Sequence, residues 1–181
     1  RLCSSDLIFL IEAKVVKINF ITPQYAIMKH MIKRGVLMKK LMIIDGSSLL
    51  FRAFFALPPL KSALGTPTNA VYGFLTMLIK LYEEINPDYI AVAFDKGRQT
   101  FRTEMYSEYK GNRPDAPEDL RPQFSLIQDV LKALGICVIE EEGYEGDDIL
   151  GSLSKKFGSS DLAVQIITGD RDNLQLVTDY K

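Results

Sequence analysis

The sequence predicts an α/β fold with a mostly parallel sheet and helices on both faces, and three observations carry that prediction. Four short apolar runs, residues 41–44, 89–94, 136–139 and 163–167, are nearly continuous rather than alternating, as strands buried on both faces are. Segments of helical spacing separate them, which is the pattern of βα units. Three of the runs reach an aspartate at or just beyond their carboxyl end, at Asp45, Asp95 and Asp170.

Each element has local reasons. After 41–44 come Asp45, Gly46 and two serines, and residues 49–57 then repeat apolar positions at helical intervals, with Ser47 or Ser48 as the expected N-cap. Pro58-Pro59 stops that helix, and Pro67 opens a longer amphipathic one over 70–85 that Asn86-Pro87 closes. Residues 96–122 lack strand or core periodicity and are rich in charge and aromatics, so an exposed excursion is expected there. A helix over 124–134 ends at Gly135, a strand follows at 136–139, and 145–157 is again helical. The last run, 163–167, leads into Thr168-Gly169-Asp170.

Composition narrows the chemistry. A chain of 181 residues with 47% hydrophobic and 25% charged side chains is the size of one domain with a packed core, which excludes collagen-like and wholly disordered classes. Cys3, Cys137 and His30 cannot supply a four-ligand zinc site or a disulfide framework, and a lone histidine argues against Ser-His-Asp or Cys-His catalysis. Chemistry must therefore run on carboxylates, lysines, hydroxyls or bound metal. Glu12, Lys14 and Lys17 interrupt the apolar start, leaving no run of about 18 apolar residues to span a membrane. The run at 7–11 is short and lacks a basic lead-in, so a cytoplasmic protein is expected. Residues 1–37 differ from the rest, and Met38-Lys39-Lys40 precedes the first strand signal; 1–37 read either as sequence outside the domain or as an extra β-hairpin or docking arm. The domain proper is expected over 38–181.

The acids carry the functional signal. Carboxyl ends of parallel strands border the ligand crevice, so Asp45, Asp95 and Asp170 are expected in one mouth. Glu145 and Asp148 stand at i and i+3 at a helix start, Asp147 lies about 100° around it, and Asp172 shares a side with Asp170 if the turn is extended. Taken alone, one of these acids at a helix start, such as Glu145 or Asp147, is usually a cap or a dipole partner. Together they are seven candidates for one site, and two carboxylates about 4 Å apart repel by roughly 4 kcal/mol at an effective dielectric of 20. Residues 140–172 hold nine acidic against three basic side chains, so cations are required, and all-oxygen ligation suits Mg²⁺ or Mn²⁺ acting on phosphate. The excursion supplies a counterpart in Lys96, Arg98, Arg102, Lys110 and Arg113, interleaved with Phe101, Tyr106 and Tyr109, as suits a single-stranded nucleic acid. A haloacid-dehalogenase-type phosphatase would need an aspartate where Ser47 stands.

The segments IIDGSSLLFRAFFALPPL, GTPTNAVYGFLTML, AVAFDKGRQTFRTEMYSEYKGNRP, GYEGDDILGSL and ITGDRDNLQLV, in that order, resemble the amino-terminal part of the 5′ nuclease domain of bacterial DNA polymerase I, within the flap endonuclease family. The resemblance implies a PIN-like α/β fold, incomplete at its carboxyl end, and a divalent-metal-dependent 5′-3′ exonuclease and flap endonuclease of DNA replication and repair. It implies two Mg²⁺ or Mn²⁺ ions on Asp45, Asp95, Glu145, Asp147, Asp148, Asp170 and Asp172. It also implies a helical arch over about 96–122, in which Lys110 and Arg113 meet the scissile phosphate and Arg98, Phe101, Arg102, Tyr106 and Tyr109 contact DNA. The implied partner is DNA bearing a 5′ single-stranded flap or an RNA primer, with a polymerase domain following in the full-length chain; a monomer is expected. The alternative is a truncated fragment that binds single-stranded or flap DNA without cutting. Phe55, Gly146 and Arg171 depart from the histidine, alanine and lysine common in the family.

Overall fold

The computed structural model describes residues 38–97, 100–106 and 115–179, and the amino-terminal segment 1–37 lies outside them. Strands β1 (Lys39–Asp45), β2 (Tyr89–Ala93), β3 (Cys137–Ile139) and β4 (Leu162–Ile167) form one sheet in the order β3-β2-β1-β4, with every pairing parallel. Helices α1 (Gly46–Ala56), α2 (Asn69–Ile85), α3 (Phe101–Met105), α4 (Arg121–Ala133) and α5 (Gly146–Phe157) connect them, and a 3-10 helix, Arg171–Leu176, follows β4.

The continuous apolar character of β1 follows from burial on both faces. Met42 and Ile44 pack with Leu50, Phe74 and Ile127 of α1, α2 and α4, while Leu41 and Ile43 pack on the other side with Ile149, Leu150 and Leu153 of α5. Alternate residues of one strand thus feed two cores. Each fully buried side chain of this size contributes about 1.5–3 kcal/mol.

Register then decides what meets at the carboxyl edge. Asp45 pairs in level with Ala93, and Ile44 with Ile167, so the residues just after β2 and β4 emerge beside Asp45. No loop intervenes between β1 and α1. A Cβ on Gly46 would lie 2.6 Å from the Phe94 ring, so this abrupt turn needs glycine. The N-cap of α1 is Asp45, whose Oδ1 accepts from Ser48 N at 2.9 Å, in place of the expected Ser47 or Ser48.

Two features of α2 and α4 were hidden in the sequence. Helix α4 starts at Arg121, with Pro122 in its first turn, and Leu120 just ahead of it is fully buried, so the far end of the 96–122 excursion belongs to the core. Buried Gln123 then caps its neighbour: Oε1 accepts from Ala70 N at 2.8 Å and Val71 N at 3.1 Å, while Nε2 donates to Asn69 Oδ1 at 2.9 Å and Asp119 O at 2.9 Å. Thr68, at the N-cap of α2, makes no side-chain cap bond, so Gln123 satisfies donors that would otherwise be orphaned.

Gln123→Leu, which keeps bulk but leaves these buried groups unpaired, should destabilise the chain by about 3 kcal/mol. Gln128→Leu, in the same helix with one half-buried bond to Glu140 at 2.9 Å, should cost about 1 kcal/mol or less. Urea unfolding of the two variants checks this, and equal losses would refute the capping role of Gln123.

Candidate functional site

Four element ends bring the acids together. Asp45 ends the central strand, and Asp95 follows β2 by two residues. Glu145 is the N-cap of α5, and Asp170 is the N-cap of the 3-10 helix, its Oδ1 accepting from Asp172 N at 2.9 Å. Asp45, Asp95, Glu145, Asp147 and Asp170 line one hollow of about 240 Å³ with Ser47, Ser48, Phe51 and Gly146, and none of these described lining residues is basic.

The two serines read from sequence as caps brace the hollow instead. Ser47 Oγ accepts from Asp95 N at 3.1 Å, and Ser48 Oγ accepts from Gly169 N at 3.2 Å, tying the end of β1 to the ends of β2 and β4. The approach at Gly169 is so close that a Cβ there would stand 2.6 Å from Ser48 Oγ. Thr168 Oγ1 donates to Asp45 Oδ2 at 3.0 Å and accepts from Asp170 N at 3.0 Å. Asn173 Nδ2 donates to Asp147 Oδ1 at 2.9 Å, and Gly146 N donates to Asp95 Oδ1 at 2.7 Å. Ser47, Ser48, Thr168 and Asn173 were missed because their partners lie on other elements and no local spacing signals them.

Asp148 and Asp172 face a second cavity of about 560 Å³, lined also by Arg102, Ser152, Lys155 and Lys156; Asp147 lines both spaces. The pair Asp170 and Asp172 was expected to share a side in an extended turn, but the 3-10 helix rotates them apart. Arg102 of α3 turns inward. Its Nη1 and Nη2 donate to Asp148 Oδ2 and Oδ1, both at 2.7 Å, and Nη1 lies 3.7 Å from Glu145 Oε2. Phe101 and Tyr106 are exposed, as stacking residues would be, whereas Arg98, Tyr109, Lys110 and Arg113 lie outside the described residues.

Burial raises the pKa of Asp45 above its ordinary 3.8, and the charges of Asp147 and Asp95 add to that; its bonds from Ser48 and Thr168 oppose it. Hence the hollow favours a positive guest. Among the described residues no three Asp, Glu, His or Cys side chains are gathered closely enough to hold a metal ion as they stand. Each carboxylate is instead held by a donor on its own side of the hollow. With the Arg102 guanidinium beside it, 3.7 Å from Glu145, the donor set is nonetheless all oxygen and partly desolvated, which fits a hard divalent cation.

Parallel strands that deliver acids to one edge, with the guanidinium of Arg102 against Asp148, describe a class of phosphate-handling α/β domain. The chain belongs to the 5′-3′ exonuclease family: the model of its N-terminal resolvase-like domain matches residues 40–181. It is 50% identical over 138 residues to DNA polymerase I of Caldicellulosiruptor bescii, a match covering 76% of this chain and 16% of that protein. It is 46% identical over 142 residues to the 5′-3′ exonuclease of Aquifex aeolicus, covering 78% of this chain and 49% of that protein. A solved structure of bacteriophage T5 5′-exonuclease with divalent zinc ions bound has a TM-score of 0.61 at 28% identity, over 78% of this chain and 53% of that one. A T5 flap endonuclease in a pseudo-enzyme-product complex with DNA and metal ions has a TM-score of 0.59 at 26% identity, with the same coverage. The chain thus spans about half or less of each of these relatives.

The raised pKa of Asp45 has a pH signature. Between 3.8 and its higher folded value, the native state keeps a proton that the unfolded state has released, so this group's contribution to stability falls as pH rises through that window. Asp45→Asn retains an oxygen for Ser48 N and removes the buried charge. Urea midpoints without added metal should therefore shift in favour of Asp45→Asn as pH rises from 4 to 7; a gap that is constant or moves the other way contradicts the assignment.

Proposed function

We propose that this chain carries the acid hollow and arch of a divalent-metal-dependent 5′-3′ exonuclease and 5′-flap endonuclease, which hydrolyses phosphodiester bonds in DNA replication and repair. The observation carrying this reading is the convergence of Asp45, Asp95, Glu145, Asp147 and Asp170 on one hollow with no basic residue among its described lining. Family membership and the metal-bound T5 neighbours support it. Mg²⁺ or Mn²⁺ is the cation class, and two ions are expected. Asp45, Asp95, Glu145, Asp147 and Asp170 would hold one, and Asp148 and Asp172, across the shared Asp147, are the acids nearest a second. Such ions, when bound, supply Lewis acidity that lowers the pKa of a water and offsets charge on a leaving oxygen.

The chain's own residues do the rest. Thr168 and Ser48 hold the Asp45 carboxylate in its buried position, and Asn173 holds Asp147, so the acids are oriented before substrate arrives. We read the part of the 96–122 segment that precedes buried Leu120 as the arch. In it Lys110 and Arg113 neutralise phosphate charge as it grows in the transition state, where preorganised cations count most. Exposed Phe101 and Tyr106, with Tyr109, offer faces on which unpaired bases stack, and Arg98 meets the backbone. The substrate class is DNA with a 5′ single-stranded flap or an RNA primer. The relatives named DNA polymerase I support a polymerase domain in the complete polypeptide. A cytoplasmic monomer is the proposed state, and among the described residues no helix is long and apolar enough to cross a membrane.

Cleavage of a 5′-flap duplex by the full chain in Mg²⁺ or Mn²⁺ tests the reading. Asp45→Asn should lower the rate by more than about 100-fold, beyond the range typical of residues that only support a ligand. Salt-dependent flap binding with no metal-dependent product would instead establish a binding fragment.

A further inference from the structure

Arg102 was expected on the DNA, yet it makes the most developed ionic contact of the acid cluster. Both terminal nitrogens of its guanidinium engage both oxygens of Asp148 at 2.7 Å, the fork-to-fork arrangement in which arginine binds carboxylates best. Asp148 Oδ2 also accepts from Glu145 N at 3.0 Å, so this carboxylate is committed to donors on both sides. The guanidinium carbon lies 4.5 Å from the centre of the Phe101 ring, whose centroid is 6.0 Å from that of Tyr144. The backbone of α3 is tied to the same region: Phe101 N donates to Gly143 O at 3.1 Å, and Thr100 forms an isolated bridge to Gly143. The arginine thus ties a five-residue helix to the start of α5 by two charged hydrogen bonds.

We propose that Arg102 is a positioning residue displaced by a divalent cation: it neutralises Asp148 and Glu145 in the metal-free chain and leaves them, carrying α3 with it, when the cation binds. The inference rests on the cation-binding reading given above. A dication and a guanidinium cannot both take the same oxygens of Asp148, and the arginine side chain, at 32% exposure, lies close enough to solvent to leave. A second consequence follows from its chemistry. Once released, the guanidinium presents its fork to phosphate, whose tetrahedral array offers two oxygens that arginine also binds in two-point fashion. Metal occupancy would then switch Arg102 from acid to strand and couple the foot of the arch to the loaded site.

The test uses the full chain and Mn²⁺ alone, with binding followed by calorimetry and the spin signal of free Mn²⁺, and amide exchange read over residues 100–106. Arg102→Gln should tighten Mn²⁺ binding about fivefold, the scale of one partly exposed ion pair. Lys155→Gln, which removes a charge from the lining of the same cavity without touching an established acid contact, should change it by less than about twofold. Arg102→Lys, which keeps the charge but loses the fork, should fall between wild type and Arg102→Gln. Mn²⁺ should raise exchange over 100–106 in the wild type, while Arg102→Gln exchanges fast with or without the ion. Equal tightening by Lys155→Gln, unchanged affinity in Arg102→Gln, or exchange indifferent to Mn²⁺ would overturn the proposal while leaving the cation site intact. Absence of Mn²⁺ binding in every variant would overturn both readings.

Discussion

Everything at the carboxyl edge of this sheet depends on keeping like charges close without letting them push the strands apart. Asp45 bears the constraint most directly, because it ends the central strand, is only 7% exposed and feels the charges of Asp95 and Asp147. The sheet answers with hydroxyls. Ser47, Ser48 and Thr168 stitch the ends of β1, β2 and β4 together, so relaxing the repulsion would require breaking several bonds at once. A scaffold of this kind holds anions in a state that a cation improves, at the cost of some stability in its absence.

Helix termini supply the other half of the answer. Asp45, Glu145 and Asp170 each occupy the N-cap position of a helix, and Asp95 accepts from the first residue of α5. Backbone donors and the positive end of the helix dipole meet each of these carboxylates from its own side. Capping and ion binding, which read from sequence as competing explanations for an acid at a helix start, are in this site two uses of the same side chain. One oxygen of Asp45 caps α1, and the other faces Thr168 and the hollow. That division also explains why the carboxylates stand too far apart to hold an ion as they are: each is drawn toward its own donors.

Much of the fold was legible because the signals were local. The apolar runs 41–44, 89–94, 136–139 and 163–167 fall on the four strands to within a residue or two, since strands covered on both faces need no alternation. Turn chemistry fixed the end of α2, where Asn86 adopts a left-handed φ of 49°. Long-range partners were not legible. Nothing around Gln123 announces that it caps a helix more than fifty residues earlier, and nothing around Leu120 marks it as core within a charged segment. The seven acids were proposed as a set from strand ends, a helix start and a turn, but their division between two adjoining cavities depends on the 3-10 helix at Arg171–Leu176, which packs against α5.

Charge totals conceal this organisation. A net of −1 over the chain suggests neutrality, yet residues 140–172 hold nine acids against three bases while residues 96–113 hold five bases against two acids. Two regions of opposite sign kept apart in sequence must be joined in space by something that tolerates both. In the described residues the join is made by one guanidinium, that of Arg102, lying between an exposed aromatic and a half-buried carboxylate. Such a pair is weak enough to exchange partners, because solvent screens it and its geometry rather than its depth gives it strength. On the proposal made for Arg102, an external cation at the acids changes what this one guanidinium is free to bind.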